Sequence, residues 1–177
     1  MTDVIQAEAP APARAGFHTL TVAAVEPLTN DSVAVTFEVP DHLKEAYRFR
    51  PGQHLTIRSD HGRPNSRRSY SIATPIGGPL RVGIKRLPGG AFSTWASRDL
   101  RPGMQLDVMT PKGNFGTDIR PETVRHHVAL GAGSGITPLL SMIRRLEALG
   151  VEKDSLVCLA LPTCAMRSIC IRRPVTQ

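Results

Sequence analysis

The hydrophobic periodicity of this 177-residue chain changes once, near residue 125, and the change calls for two architectures in series. Before it, apolar residues alternate with polar or small ones in the segments 17–22, 32–39, 51–58, 68–71, 80–86 and 104–110. A period of two sends successive side chains to opposite faces, the signature of half-buried strands. Glu26-Pro27-Leu28-Thr29-Asn30-Asp31, His61-Gly62-Arg63-Pro64-Asn65 and Arg101-Pro102-Gly103 supply turn chemistry between them. Six such segments at hairpin spacing predict an all-β, six-stranded antiparallel Greek-key barrel. After the change, Leu139, Leu140, Ile143, Leu146 and Leu149 recur at helical spacing, between a short strand at 126–130 and another at 155–161. That pattern predicts a βαβ unit with parallel strands, a partial α/β domain. Thr137 fits the helix N-cap, Pro138 its first position and Gly150 its stop.

The expected divisions are a loose Ala/Pro-rich leader at 1–15, the barrel at 16–117, a linker at 118–124 and the βαβ unit at 125–161. An atypical tail fills 162–177. No apolar run approaches the roughly 20 residues that span a bilayer, and the start lacks a charged-then-apolar export signal, so no membrane association and a cytoplasmic location are expected. The net charge of +7 admits nucleic acid, anionic cofactors or an acidic partner. A basic nucleic-acid-binding barrel is what charge alone suggests. Against it, the cations are scattered (Arg58, Arg67, Arg81, Arg98) and aromatics are only 5% of the chain, too few for a stacking platform, so no nucleic-acid partner is expected. Cys158, Cys164 and Cys170 have neither a zinc nor an iron–sulfur spacing, and His126 and His127 face opposite sides of a strand, so no metal site is expected.

Three stretches carry candidate chemistry. Arg68-Ser69-Tyr70-Ser71 puts a forked cation, an aromatic ring and hydroxyls within one strand, with Arg68 and Tyr70 on one face and Ser69 and Ser71 on the other. A guanidinium suits a pyrophosphate, a phenol ring stacks on a planar heterocycle, and a hydroxyl donates to a ring nitrogen, a combination suited to a flavin. A solvated strand is the plain alternative. Pro88-Gly89-Gly90-Ala91 leads into Phe92-Ser93-Thr94, where a helix start offers unpaired N–H groups to an anion or is an ordinary capped loop. In the third, Gly131-Ala132-Gly133-Ser134-Gly135-Ile136-Thr137-Pro138 follows a strand and opens a helix. It lacks the lysine of a P-loop and the third glycine of G-x-G-x-x-G, and reads as a pyrophosphate cradle or a tight structural turn. His54 lines a pocket or packs within its strand.

In order and spacing, Pro51-Gly52-Gln53, Arg68-Ser69-Tyr70-Ser71, Pro88-Gly89-Gly90 with Phe92-Ser93-Thr94, Pro111-Lys112-Gly113-Asn114-Phe115 and the glycine segment resemble the ferredoxin–NADP reductase family. Within it the chain is most similar to reductases that serve multicomponent oxygenases of the phenylacetyl-CoA epoxidase type. The resemblance covers about residues 16–157 and implies an FAD barrel followed by an NADPH (or NADH) domain. It implies that Arg68 pairs with the FAD pyrophosphate, Tyr70 packs on the isoalloxazine, and Ser71 lies near its reactive nitrogen. Ser69, Lys85, Gly90, Phe92, Ser93 and Thr94 join the FAD-binding set, with 90–94 acting through backbone N–H groups. Gly133, Ser134, Gly135, Ile136, Thr137 and Pro138 would receive the nicotinamide nucleotide, Thr137 near the site of hydride transfer. The implied activity is NAD(P)H-dependent flavin oxidoreduction, passing electrons to an iron–sulfur centre and an oxygenase partner.

Full-length relatives of this type carry a ferredoxin-like 2Fe-2S domain after the nucleotide domain. This chain reads instead through Leu161-Pro162-Thr163-Cys164-Ala165-Met166 to Gln177, unlike the family pattern. The expectation is an incomplete nucleotide domain, a truncated or frameshifted tail, no cluster domain and impaired turnover, the alternative being an FAD-binding or partner-docking fragment without turnover.

Overall fold

A computed structural model describes residues 16–60, 64–116, 127–149 and 156–161. Six strands, β1 (Phe17–Thr29), β2 (Ser32–Glu38), β3 (His54–Ser59), β4 (Ser66–Ser71), β5 (Leu80–Lys85) and β6 (Gln105–Met109), form one antiparallel sheet in the order β4-β3-β6-β1-β2-β5. The outer strands β4 and β5 meet at a single bridge, Ile72 to Val82, supported by the Ala73 N–H donating to the Arg81 carbonyl at 3.0 Å. That contact turns the sheet into a barrel, and alternation fills it: Leu20, Val22, Val35, Leu55, Ile57, Val82, Ile84 and Val108 are buried. The strands expected from periodicity are all present.

β1 runs longer than expected, because its pairing with β2 continues through Pro27 to Thr29 and the turn shrinks to Asn30 and Asp31. β6 covers the other edge of β1 only from Phe17 to Thr21. Val22 still exchanges backbone hydrogen bonds with Gly103 and Met104, but no described backbone group reaches that edge at Pro27, so a proline without an N–H is tolerated, and register shifts flank it. The 40–50 connection folds over the barrel. Tyr47, buried within it, donates its hydroxyl to the Val108 carbonyl at 2.6 Å and meets His18 edge to ring. Gly52 adopts φ +86°, and a Cβ there would overlap the Phe115 carbonyl and come within 2.7 Å of Met142, so glycine is required where three segments converge.

Helix α1 (Ala91–Arg98) inserts Phe92 and Ala96 into the barrel core. In the second unit, β7 (His127–Ala132) pairs in parallel with β8 (Leu156–Leu161), connected by a 3-10 turn at Gly133–Gly135 and helix α2 (Ile136–Ala148). The helix begins earlier than expected. Its N-cap is Gly135, so Thr137 and Pro138 lie within its first turn. The 3-10 turn feeds directly into the helix, and a proline there loses only an N–H that would have had no helical acceptor. At Gly131 a Cβ would sit 2.7 Å from Leu139, which lets α2 settle closely on β7. No helix among the described residues is long and apolar enough to cross a membrane. The expected leader, linker, helix stop at Gly150 and tail lie outside the described residues.

Candidate cofactor site

Antiparallel partners share a face, so Tyr70 opposite Leu55 and Arg68 opposite Ile57 lie on the core-facing side of β4. Leu55 and Ile57 are fully buried, yet Arg68 is exposed. The reason is topological: above the Ile72–Val82 bridge, β4 hydrogen-bonds to β3 alone, and the barrel is open along its β4–β5 seam. Tyr70 borders the opening and is half-buried, its ring 6.0 Å from that of Phe92 at 34°, and Phe92 in turn lies 5.8 Å from Trp95. Burial pushes the Tyr70 phenol up to about 12, against the opposing pull of Arg68. The only hydrogen bond of the Arg68 guanidinium among the described residues goes to the neighbouring Arg67 carbonyl at 2.7 Å, leaving most of its donors uncommitted. On the reverse face, Ser69 shares a hydrogen bond with Thr56 at 3.1 Å, and Ser71 lies opposite His54.

The start of α1 borders the same opening through Phe92. Its N-cap is Gly90, with no side-chain cap, and its first intrahelical bond runs from Thr94 N–H to the Gly90 carbonyl at 3.0 Å. The N–H groups of residues 91–93 therefore have no acceptor within the helix. Ser93 shapes the preceding loop: its buried hydroxyl donates to the Gly90 carbonyl and accepts from Leu87 N–H, each at 3.2 Å. Its contribution to a ligand would come from the backbone, while Thr94 is half-buried behind it.

The glycine turn lies on another face of the barrel. Thr137 sits over Gly83 of β5, 3.8 Å from where a Cβ would stand, with Leu28 alongside. Around Gly133 and Gly135 no described atom comes within 4 Å of a Cβ position, so this side of the turn is open, and Ser134 is exposed. Ile136 packs with Leu139 and Ile143, and Pro138 is half-buried. Lys85 shares the outer face of β5 with Gly83 and pairs with Asp31 at 3.3 Å, while Arg81 pairs with Glu26. The structure thus groups Lys85 with the Thr137 side of the strand and separates it from the face bearing Arg68 and Tyr70. The Thr29 hydroxyl, with smaller help from Lys85, holds the Asp31 carboxyl below its ordinary value. His54 packs on the closing turn: it exchanges backbone hydrogen bonds with Lys112, and a Cβ at Gly113 would lie 2.9 Å from its Nδ1.

Residues 19–116 match the family described as Oxidoreductase FAD-binding domain. The chain belongs to that family. Among curated proteins, the chain is 48% identical over 128 residues to a component of the 1,2-phenylacetyl-CoA epoxidase of Escherichia coli (strain K12), covering 72% of this chain and 36% of that protein. It is 37% identical over 142 residues to the ferredoxin reductase component of 3-ketosteroid-9-alpha-monooxygenase from Rhodococcus rhodochrous, covering 78% and 39%. The chain therefore spans well under half the length of these relatives. Among solved structures it resembles phthalate dioxygenase reductase, described as modular for electron transfer from pyridine nucleotides to [2Fe-2S], with a TM-score of 0.67 and 26% identity over 82% of this chain and 43% of that one.

FAD fits the open end of the seam on its chemistry. An uncommitted guanidinium and uncapped helix N–H groups answer a pyrophosphate, and a half-buried phenol ring answers a planar heterocycle.

Proposed function

We propose that the chain holds FAD at the open end of the β4–β5 seam and receives NADPH or NADH along the turn at Gly133–Gly135, working as the flavin module of an oxygenase reductase of the phenylacetyl-CoA epoxidase type. The observation that carries this reading is the convergence of Arg68, the Tyr70–Phe92 ring pair and the α1 N-terminus on one opening. Arg68 and the N–H groups of residues 91–93 bind the pyrophosphate, Tyr70 orients the ring system by stacking, and Ser71, the next residue along the strand, lies at its edge. Bound FAD would supply acceptance of a hydride and release of single electrons. Thr137 and the turn before it orient the donor nucleotide. Similarity to the epoxidase component and to the ferredoxin reductase component of the ketosteroid monooxygenase supports an iron–sulfur centre and an oxygenase as the onward acceptors.

The test is the visible absorption spectrum of the purified chain after incubation with FAD and desalting, followed by anaerobic NADPH or NADH. Retained flavin that the nucleotide bleaches is the expected result. A folded protein that retains no flavin would sink the proposal, and retained flavin that neither nucleotide bleaches would reduce it to a binding module.

A further inference from the structure

Helix α2 carries two working faces. Leu139 and Ile143 form its apolar cluster, whereas Thr137, Ser141 and Arg144, at spacings of four and three, form a second stripe. That stripe runs along the barrel. Thr137 sits over Gly83, Ser141 Oγ donates to the Thr74 carbonyl at 2.6 Å, and the Arg144 guanidinium donates to the Ala73 carbonyl at 3.0 Å. Ser141 is 0% exposed and Thr74 4%. A helical serine commonly bonds to the carbonyl four residues back; here the bond crosses to the barrel, in a dry site where it is strongest. The receiving loop is itself fixed, by Thr74 Oγ1 donating to the Pro79 carbonyl at 2.8 Å and Ala73 N–H donating to Arg81. Ala73 and Thr74 follow Ser71 by two and three residues, so the helix grips the chain just where the Arg68–Ser71 strand leaves the seam.

We infer that Ser141 and Arg144 are positioning residues, latching α2 to the 73–74 backbone so that its first turn, which presents the nucleotide, is held at a set distance and rotation from the flavin edge at Ser71. This rests on the function proposed above. Neither residue touches the proposed cofactors, and both act through the placement of Thr137.

The test compares the FAD-loaded chain with Ser141→Ala, Arg144→Ala and Arg144→Lys. Two readouts apply: amide hydrogen exchange of 136–148, and the limiting rate and half-saturation of anaerobic flavin bleaching by NADPH. Exchange across α2 should rise by about tenfold or more in both alanine variants while β1–β6 stay protected. The limiting rate should fall by about tenfold, the scale of a sub-ångström misplacement, with FAD affinity unchanged and half-saturation little altered. Arg144→Lys, which keeps a donor for the Ala73 carbonyl, should recover most of both. Unaltered α2 exchange overturns the latch, and raised exchange with an unaltered limiting rate overturns the positioning role. If NADPH fails to bleach even the unsubstituted chain, the proposed function is what fails, and the positioning role falls with it.

Discussion

At one end of the β4–β5 seam the backbone closes on itself, with Ile72 bridged to Val82, Ile72 N–H donating to the Gln53 carbonyl at 2.9 Å and the Ile72 side chain fully buried. At the other end, from Tyr70 back to Ser66, β4 has a ladder partner on one side only, and Arg68 stands exposed opposite a buried isoleucine. Closed and open ends have the same connectivity and differ in whether the last hydrogen-bonded edge is shared. A barrel that completed every ladder would be more stable and would have nowhere to put a ring system. The unshared edge is where uncommitted donors collect, and the closed end is what keeps them in place.

The comparison breaks most visibly at the closed end. Ile72→Ala should destabilise the apo chain by about 2–5 kcal/mol in chemical denaturation, the cost of a cavity at a fully buried site, and it should weaken FAD binding only in proportion to unfolding. A loss of FAD affinity with stability intact would mean that the two ends are not mechanically separate. Arg68→Ala tests the open end in the opposite sense. FAD affinity should fall by about 1.5–3 kcal/mol, the worth of a charge-assisted hydrogen bond, while the stability of the apo chain changes by no more than about 0.5 kcal/mol, as expected for an exposed side chain. Unchanged affinity would remove Arg68 from the site.

The smallest effect is spectroscopic. The chain has two tyrosines, and burial raises both Tyr47 and Tyr70 to about 12 from an ordinary 10.0. A raised phenol value means that the fold favours the neutral form. Its contribution is complete below pH 10 and is lost as pH climbs towards 12. Ultraviolet titration of the folded chain should show little tyrosinate near pH 10, where the unfolded chain ionises. FAD should delay only one of the two phenols further, and Tyr70→Phe should abolish that delay. Equal delay of both would place the ligand elsewhere.

Much of this was legible beforehand because it depends on short-range physics. Alternation around Leu20, Val35, Leu55 and Val82 marks strands, since a half-buried strand needs one apolar face. The opposite faces of Tyr70 and Ser71 follow from the same rule, and the spacing of Leu139, Ile143 and Leu146 marks the helix. Other features were hidden because they depend on neighbours far along the chain. Nothing near Lys85 announces that Asp31 holds it, and nothing in the helix distinguishes Ser141 or Arg144 from ordinary polar positions. A serine within an amphipathic pattern becomes a signal only once the carbonyl opposite it is known. The N-cap shifted from Thr137 to Gly135 because the 3-10 turn at Gly133–Gly135 runs directly into the helix and sets where helical geometry begins.

The sequence by itself determined which segments are strand or helix, which side chains share a face, and the family to which the chain belongs, because these follow from local periodicity and residue chemistry. Only the tertiary structure decided the strand order β4-β3-β6-β1-β2-β5, the end of the seam left open, and the grip of α2 on Ala73 and Thr74. Those depend on which backbone groups find partners across tens of residues, and a hydrogen bond from Ser141 to a carbonyl 67 positions away leaves no trace in the pattern around either residue.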